Sequence, residues 1–271
     1  MRSFLGFLLI LIPMTQRHLI AAEPLIVGHR GASADAPENT LAAFRLAWDQ
    51  GADGIEGDFH LTADNKIVCI HDTDTERISN KKLVVKDVTL EQLRGLDAGS
   101  WKSKDFSGES IPTFKEVFAT VPNGKTFVIE LKVGPEIVPI LKSELEQIDP
   151  GERQLLIISF NVDTIAACKA SMPQLKCHWL TSFKRTATLR YQPNPKSIIA
   201  TMKKCQADGV GMKGETKVIN EAFLDQLRQA GIDEFHVWTV DAPSVAKRFK
   251  QLGAFGITTN VPATIRNTLA Q

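Results

Sequence analysis

Short, nearly unbroken apolar blocks alternate along this chain with longer stretches in which apolar residues recur every three or four positions. The first block, 25–28, reads as a strand, and 39–50 as a helix with Leu41, Phe44 and Trp48 on one face. Block 54–61 is a second strand, and 67–70 pairs back onto it through the polar turn 63–66. The irregular, polar stretch 73–112, helix-like only at 89–95, reads as an insertion and not as a second globular domain. The pattern then predicts strands over 126–131, 154–160, 175–181, 209–212, 235–240 and 255–258. Helices over 113–119, 136–148, 162–170, 196–205, 220–229, 243–251 and 262–269 separate and close them.

Repeated strand-then-helix units imply parallel strands joined by right-handed crossovers. About eight such units in one chain predict an α/β fold, a (β/α)8 TIM-like barrel with a small insertion after the second strand. A doubly wound open sheet shares the periodicity, but no glycine-rich nucleotide loop follows the first strand. The 271 residues, 43% of them hydrophobic, suffice for one large core, so residues 23–271 are expected to form a single domain.

Residues 1–22 read differently. Met1 and Arg2 lead into the apolar run 4–12, and Ala21 and Ala22 precede Glu23, which is the order of a secretory signal peptide. The run is short for a bilayer span. The alternatives are an uncleaved anchor or a mis-assigned start codon, because Ile20 fits poorly before the small pair. Export to the periplasm or the exterior is the expectation. No later run is long and apolar enough for a transmembrane helix, so no stable membrane insertion is expected once the signal is cleaved.

A formal net charge of +1 provides no global field for nucleic acid or an anionic surface, so any anion specificity must be local. Of the four cysteines, none form a CxxC element, which argues against a thiolate zinc site. Cys69 reads as a buried small hydrophobe, and Cys168 with Cys177 is the disulfide that export would best permit.

A parallel barrel gathers its chemistry at the C-terminal ends of its strands. There the sequence places His29 and Arg30 on the first strand, Glu56 and Asp58 on the second, Glu130 and Lys132 on the third, and Trp238 with Asp241 on the seventh. The i, i+2 spacing of Glu56 and Asp58 puts both carboxylates on one strand face. A single acid at such a place is usually solvated or ion-paired, but carboxylates converging from adjacent strands resist ionisation unless a cation neutralises them. Oxygen ligands suit Mg2+ or Ca2+ better than zinc. His29 alone reads equally as a structural histidine, but His71, at the end of the return strand, supplies a second imidazole for acid-base chemistry. Arg30 and Lys132 are the natural phosphate contacts. Glu38, Asn39 and Thr40 start a helix, and Glu38 or Asn39 either bonds back to the His29 loop or, for Asn39, reaches the metal. Trp238 and Phe160 line an apolar wall or pack in the core. His60 is a supporting residue, while His18, His178 and His236 have no comparable company.

These elements, HRG at 29, PENT at 37, GADGIEGD ending at Asp58, IVCIHD ending at Asp72, IELK at 129 and VWTVD at 237, resemble the glycerophosphodiester phosphodiesterase family over nearly the whole chain after residue 25. The resemblance implies hydrolysis of a small-molecule glycerophosphodiester to sn-glycerol 3-phosphate and an alcohol, with a divalent cation, Ca2+ or Mg2+. Carried over, it makes His29 and His71 the acid-base pair, Glu56, Asp58 and Glu130 the metal ligands, and Arg30 and Lys132 the phosphate contacts. This chain departs from the family in having Asp241 where Asn is common and Asn260 in place of a common Asp. The nucleophile is water or the substrate's own 2-hydroxyl. Alternatives on the same site are a lysophospholipase D, a glycerophosphate-polymer diesterase, or a barrel that binds phosphodiesters without turnover. No sequence feature sets the oligomeric state.

Overall fold

A computed structural model describes residues 23–271, so the expected signal peptide lies outside the described residues. Eight parallel strands pair in chain order: β1 (Leu25–His29), β2 (Gly54–Leu61), β3 (Thr126–Leu131), β4 (Gln154–Ser159), β5 (Lys176–Thr181), β6 (Gly209–Lys213), β7 (Phe235–Trp238) and β8 (Gly256–Thr259). Val27 on β1 faces Gly54 on β2 and Thr258 on β8, so the sheet closes on itself. The fold is the (β/α)8 barrel that the alternation predicted; an open sheet would leave β1 with a single neighbour.

Side chains alternate across each strand, and the two faces bury different partners. Val27, Val128, Leu156, Ile158 and Leu180 pack inside the barrel. Phe44, Ile55, Phe59 and Phe127 belong to the larger core between strands and helices. That double burial is why the strands read as continuous apolar blocks.

The return strand Ile67–Cys69 runs antiparallel to β2. Over it fold residues 73–112, with their own apolar cluster around Ile78, Val85, Leu93 and Ile111, and a helix at Leu90–Arg94 held by a Thr89–Gln92 capping box.

Some expectations shift. The first helix runs over Leu41–Asp49, later than its pattern begins, because Asn39 is left-handed at φ 59° and Thr40 caps the helix, accepting from Ala43 N. A short polar hairpin, Lys184–Arg185 with Tyr191–Gln192, follows β5; its strands are too brief for any periodicity to reveal. The Cys168–Cys177 disulfide is not formed. All four cysteines are free and buried, and these two thiols are neighbours in the apolar layer, where each packs as a small hydrophobe.

Candidate active site

The turn leaving β1 sets the frame. Arg30 is left-handed at φ 56° and Gly31 at φ 83°, where a Cβ on Gly31 would lie 2.5 Å from the Ala43 backbone. A left-handed non-glycine residue costs about 1–2 kcal/mol. Two bonds hold it there: Arg30 N donates to Glu56 Oε2 at 2.9 Å, and Asn39 N donates to Arg30 O at 3.0 Å. Glu38 accepts from Arg30 Nη1 at 2.9 Å. Asn39 spends its amide on Asp58, donating from Nδ2 to Oδ2 at 2.8 Å and accepting from Asp58 N at 3.2 Å. Glu38 and Asn39 thus both bond back to the His29 loop, through Arg30, as one reading of this stretch had it.

Glu56 and Asp58 share a face of β2, and Asp58 stands opposite Glu130 on β3. One carboxylate oxygen from each of the three lies within 4.8 Å of the others, and all three residues are at most 9% exposed. Burial would raise Asp58, but Lys132 Nζ at 3.2 Å and Arg30 Nε at 3.1 Å outweigh it and hold this carboxyl below the usual range. The Arg30 Nε contact is an ion pair only, since its angle makes no hydrogen bond. Glu56 is pushed well up, by burial first and then by Asp58 and Glu130. Glu130 is raised to about 7 by burial and by Asp58, although Lys132 Nζ sits 2.8 Å from its Oε1. Glu56 Oε1 is buried without a hydrogen-bond partner. An orphaned carboxylate oxygen beside two further carboxylates fits a hard divalent cation, which would satisfy the orphan and let the cluster ionise.

An imidazole stands on either side of this cluster, and each is pinned at Nδ1. His71 Nδ1 lies 2.7 Å from Asp72 Oδ1. Asp72 Oδ2 accepts from Arg77 Nε at 2.6 Å, and both Arg77 Nη atoms donate to Glu38, at 2.9 and 2.8 Å. His60 Nε2 supports the same turn from 3.2 Å, at His71 O. His29 Nδ1 lies 2.8 Å from Asn260 Oδ1, and Asn260 Nδ2 donates to Asp241 Oδ2 at 2.7 Å. Because a carboxylate only accepts, Asp241 fixes the Asn260 amide with its oxygen toward His29. Burial, and then Arg30, lower the His29 pKa.

The cavity at this mouth holds about 380 Å3 of empty space, counting the part open to solvent. His29, Arg30, Glu56, His71, Glu130 and Lys132 form its polar wall; Ile158, Leu180, His236 and Thr258 line it further down the strands. Trp238 lines it too and meets Phe160 edge-on at 5.4 Å, so of the two readings, apolar wall or core, both residues take the wall. The hollow by Lys250 and Gln271 is larger but open, and no acid cluster lines it.

Among proteins of known family, the model of the glycerophosphoryl diester phosphodiesterase family matches residues 29–264. The chain belongs to this family. It is 34% identical over 250 residues to the glycerophosphodiester phosphodiesterase of Caldanaerobacter subterraneus, covering 90% of this chain and 96% of that one. It is 36% identical over 240 residues to a putative glycerophosphodiester phosphodiesterase of Bacillus subtilis, covering 88% and 94%. An Oleispira antarctica phosphodiesterase, solved in complex with the product sn-glycerol-3-phosphate, superposes with a TM-score of 0.80 at 25% identity, covering 92% of this chain and 98% of that one.

The barrel thus brings together the eight residues to which the sequence gave acid-base, ligand or substrate-contact roles: His29, Arg30, Glu56, Asp58, His71, Glu130, Lys132 and Trp238. Asp58 lies just behind the wall, under Arg30 and Lys132. Sequence reasoning gave no role to Arg77 or Asn260. It also left His178 and His236 without company, and the structure corrects this: they are each other's partner, Nδ1 to Nδ1 at 3.0 Å. Their inward register on β5 and β7, with glycines on β6 between, was the available signal.

Proposed function

We propose that this chain hydrolyses glycerophosphodiesters to sn-glycerol 3-phosphate and an alcohol, with Glu56, Asp58 and Glu130 holding a divalent cation, Mg2+ or Ca2+. The observation that carries the reading is three converging carboxylates, one with an orphaned oxygen, between two imidazoles pinned at Nδ1. A bound cation would neutralise the diester and the charge developing on its oxygens. Arg30 and Lys132 present a guanidinium and an ammonium to the non-bridging oxygens.

The two histidines differ in what holds them. His29 donates from Nδ1 to a neutral amide, so Nε2 keeps its lone pair; with its pKa lowered it is neutral near pH 7 and suits the general base. His71 faces the carboxylate of Asp72, a partner for a ring that is protonated during part of the cycle, and suits the general acid. His29 takes the proton of the nucleophile, water or the 2-hydroxyl, as its oxygen bonds phosphorus. His71 gives a proton to the departing alkoxide as the other P–O bond breaks; where the 2-hydroxyl is the nucleophile this leaves a cyclic phosphate, which water then opens to sn-glycerol 3-phosphate with the two histidines exchanging roles. Among the described residues the apolar lip consists of Phe160 and Trp238, which favours a small alcohol over a lipid chain. Export rests on residues 1–22 alone, and mass spectrometry of the N-terminus after expression with its own leader tests it.

The decisive assay follows choline release from glycerophosphocholine after chelation and metal add-back. Chelation is expected to abolish activity and add-back to restore it; His29→Ala and His71→Ala are each expected to lose about 10²–10⁴-fold. Activity that survives both His29→Ala and exhaustive chelation sinks the reading.

A further inference from the structure

Two buried histidines beneath the site take no part in the chemistry above. His178, fully buried on β5, and His236, 4% exposed on β7, stack with ring centroids 5.2 Å apart and Nδ1 atoms 3.0 Å apart. Imidazoles inside a barrel are costly unless hydrogen-bonded, and they need room. The strand between them supplies that room, because a Cβ on Gly209 would collide with His178 Nε2, and one on Gly211 with the His236 ring and Leu180.

The hydrogen bonds also set where the protons lie. Glu234 Oε1 is 2.9 Å from His178 Nε2, and Lys176 Nζ pairs with the same carboxylate at 2.7 Å. An ionised carboxylate only accepts, so His178 carries its hydrogen on Nε2, and in the neutral ring Nδ1 is then an acceptor. The short Nδ1 to Nδ1 contact needs one hydrogen, which His236 must supply from its own Nδ1. That leaves His236 Nε2 as a bare lone pair. Burial pushes the His236 pKa well down and keeps its ring neutral. Nε2 has no partner among the described residues, and His236 lines the cavity one inward step below Trp238.

An acceptor in this position repels phosphate oxygens and accepts from a hydroxyl. The cavity is blind below, toward Ile158 and Leu180, and open at the Phe160 lip. A leaving alcohol of variable length must point to the open end; a fixed three-carbon arm fits the closed one. We propose that His236 Nε2 accepts a hydrogen bond from a hydroxyl of the substrate's glycerol arm, with Glu234 and His178 as positioning residues that fix the His236 tautomer. The assignment rests on the diesterase reading for the identity of its ligand.

The test uses the metal-loaded protein with 15N-labelled histidine. His236 is expected to carry its hydrogen on Nδ1, and its Nε2 resonance to move on adding sn-glycerol 3-phosphate. It should move less with 2-hydroxypropyl or with 3-hydroxypropyl phosphate, whichever lacks the recognised hydroxyl. Glu234→Gln, which removes the charge that orders the chain, is expected to mix the two tautomers, a signature that loss of packing would not produce. In kinetics, His236→Phe should narrow the preference in kcat/KM for glycerophosphoethanolamine over a diester without glycerol hydroxyls by about 10–100-fold, and His236→Gln, which retains an acceptor oxygen, by less. A hydrogen found on Nε2, a resonance indifferent to the product, which would mean an ordered water only, or an equal loss on both diesters overturns the proposal. A wild-type protein that hydrolyses neither diester with Mg2+ or Ca2+ would instead overturn the diesterase reading, and the tautomer and product titration would remain readable.

Discussion

Asp241 and Asn260, read from the sequence as departures from the family, are a matched exchange. Where the resemblance sets Asn and then Asp, this chain has Asp and then Asn, and the two side chains bond each other: Asn260 N and Nδ2 both donate to Asp241, at 2.8 and 2.7 Å. Thr259 Oγ1 adds a third donor at 2.9 Å. The exchange keeps the pair satisfied but presents His29 with an amide instead of a carboxylate. Asn260→Asp alone sets two carboxylates against each other and should cost about 1–3 kcal/mol in urea unfolding. The double variant with Asp241→Asn should recover most of that loss, a coupling that a double-mutant cycle reads directly. In that double variant, a carboxylate at His29 Nδ1 favours the imidazolium, so the acid limb of the pH–rate profile should move to higher pH. Additive losses would show that the two residues do not act as a pair.

At the level of elements, the insertion is tied into the site and is more than a cover. Arg77, its contribution, joins Asp72 of the His71 turn to Glu38 of the helix start, and Glu38 in turn holds Arg30. One guanidinium thus links the turn carrying one imidazole to the turn carrying the other. Its fork geometry matters, since a lysine offers a single point charge where three directed donors are used. Arg77→Ala and Arg77→Lys are both expected to lower kcat by about 10-fold or more with a smaller change in KM, because on the proposed mechanism the misplaced groups would act in the transition state. The pair is partly exposed, so the melting temperature should change little. Unchanged kcat in Arg77→Ala would reduce the insertion to a lid.

For the whole molecule, the barrel concentrates acids that are hard to ionise together. Glu130 titrates at about 7 in the folded protein against an ordinary 4.5, and Glu56 is shifted the same way. A raised carboxyl contributes stability that is fully present below its unfolded value and is lost as pH rises through its folded value. Without a cation the protein should therefore lose stability from about pH 4.5 to about pH 7. A divalent cation held by these acids would replace those protons, so its benefit should grow with pH. The rise in melting temperature on adding Mg2+ or Ca2+ is expected to be several degrees larger at about pH 8 than at about pH 5. The apparent metal affinity should weaken by up to about tenfold per pH unit below 7 for each proton displaced. Equal shifts at both pH values would place the metal away from these acids.

Much of this was written locally. Strands buried on both faces read as apolar blocks, helices as periodic stretches, and Glu56 with Asp58 share a face because side chains on a strand alternate; such features need only neighbours in sequence. The partners that give the site its character are distant. His29 meets Asn260 across 231 positions, and His178 meets His236 across 58. Arg77 finds Glu38 only after the return strand has folded its insertion against the mouth. Closure of β1 onto β8 decides the first contact and the register across β5, β6 and β7 decides the second. The sequence by itself determined the barrel and the identity of the acids and imidazoles. Only the tertiary structure decided which nitrogen of each imidazole is held, because that depends on hydrogen bonds between elements whose pairing no local pattern encodes.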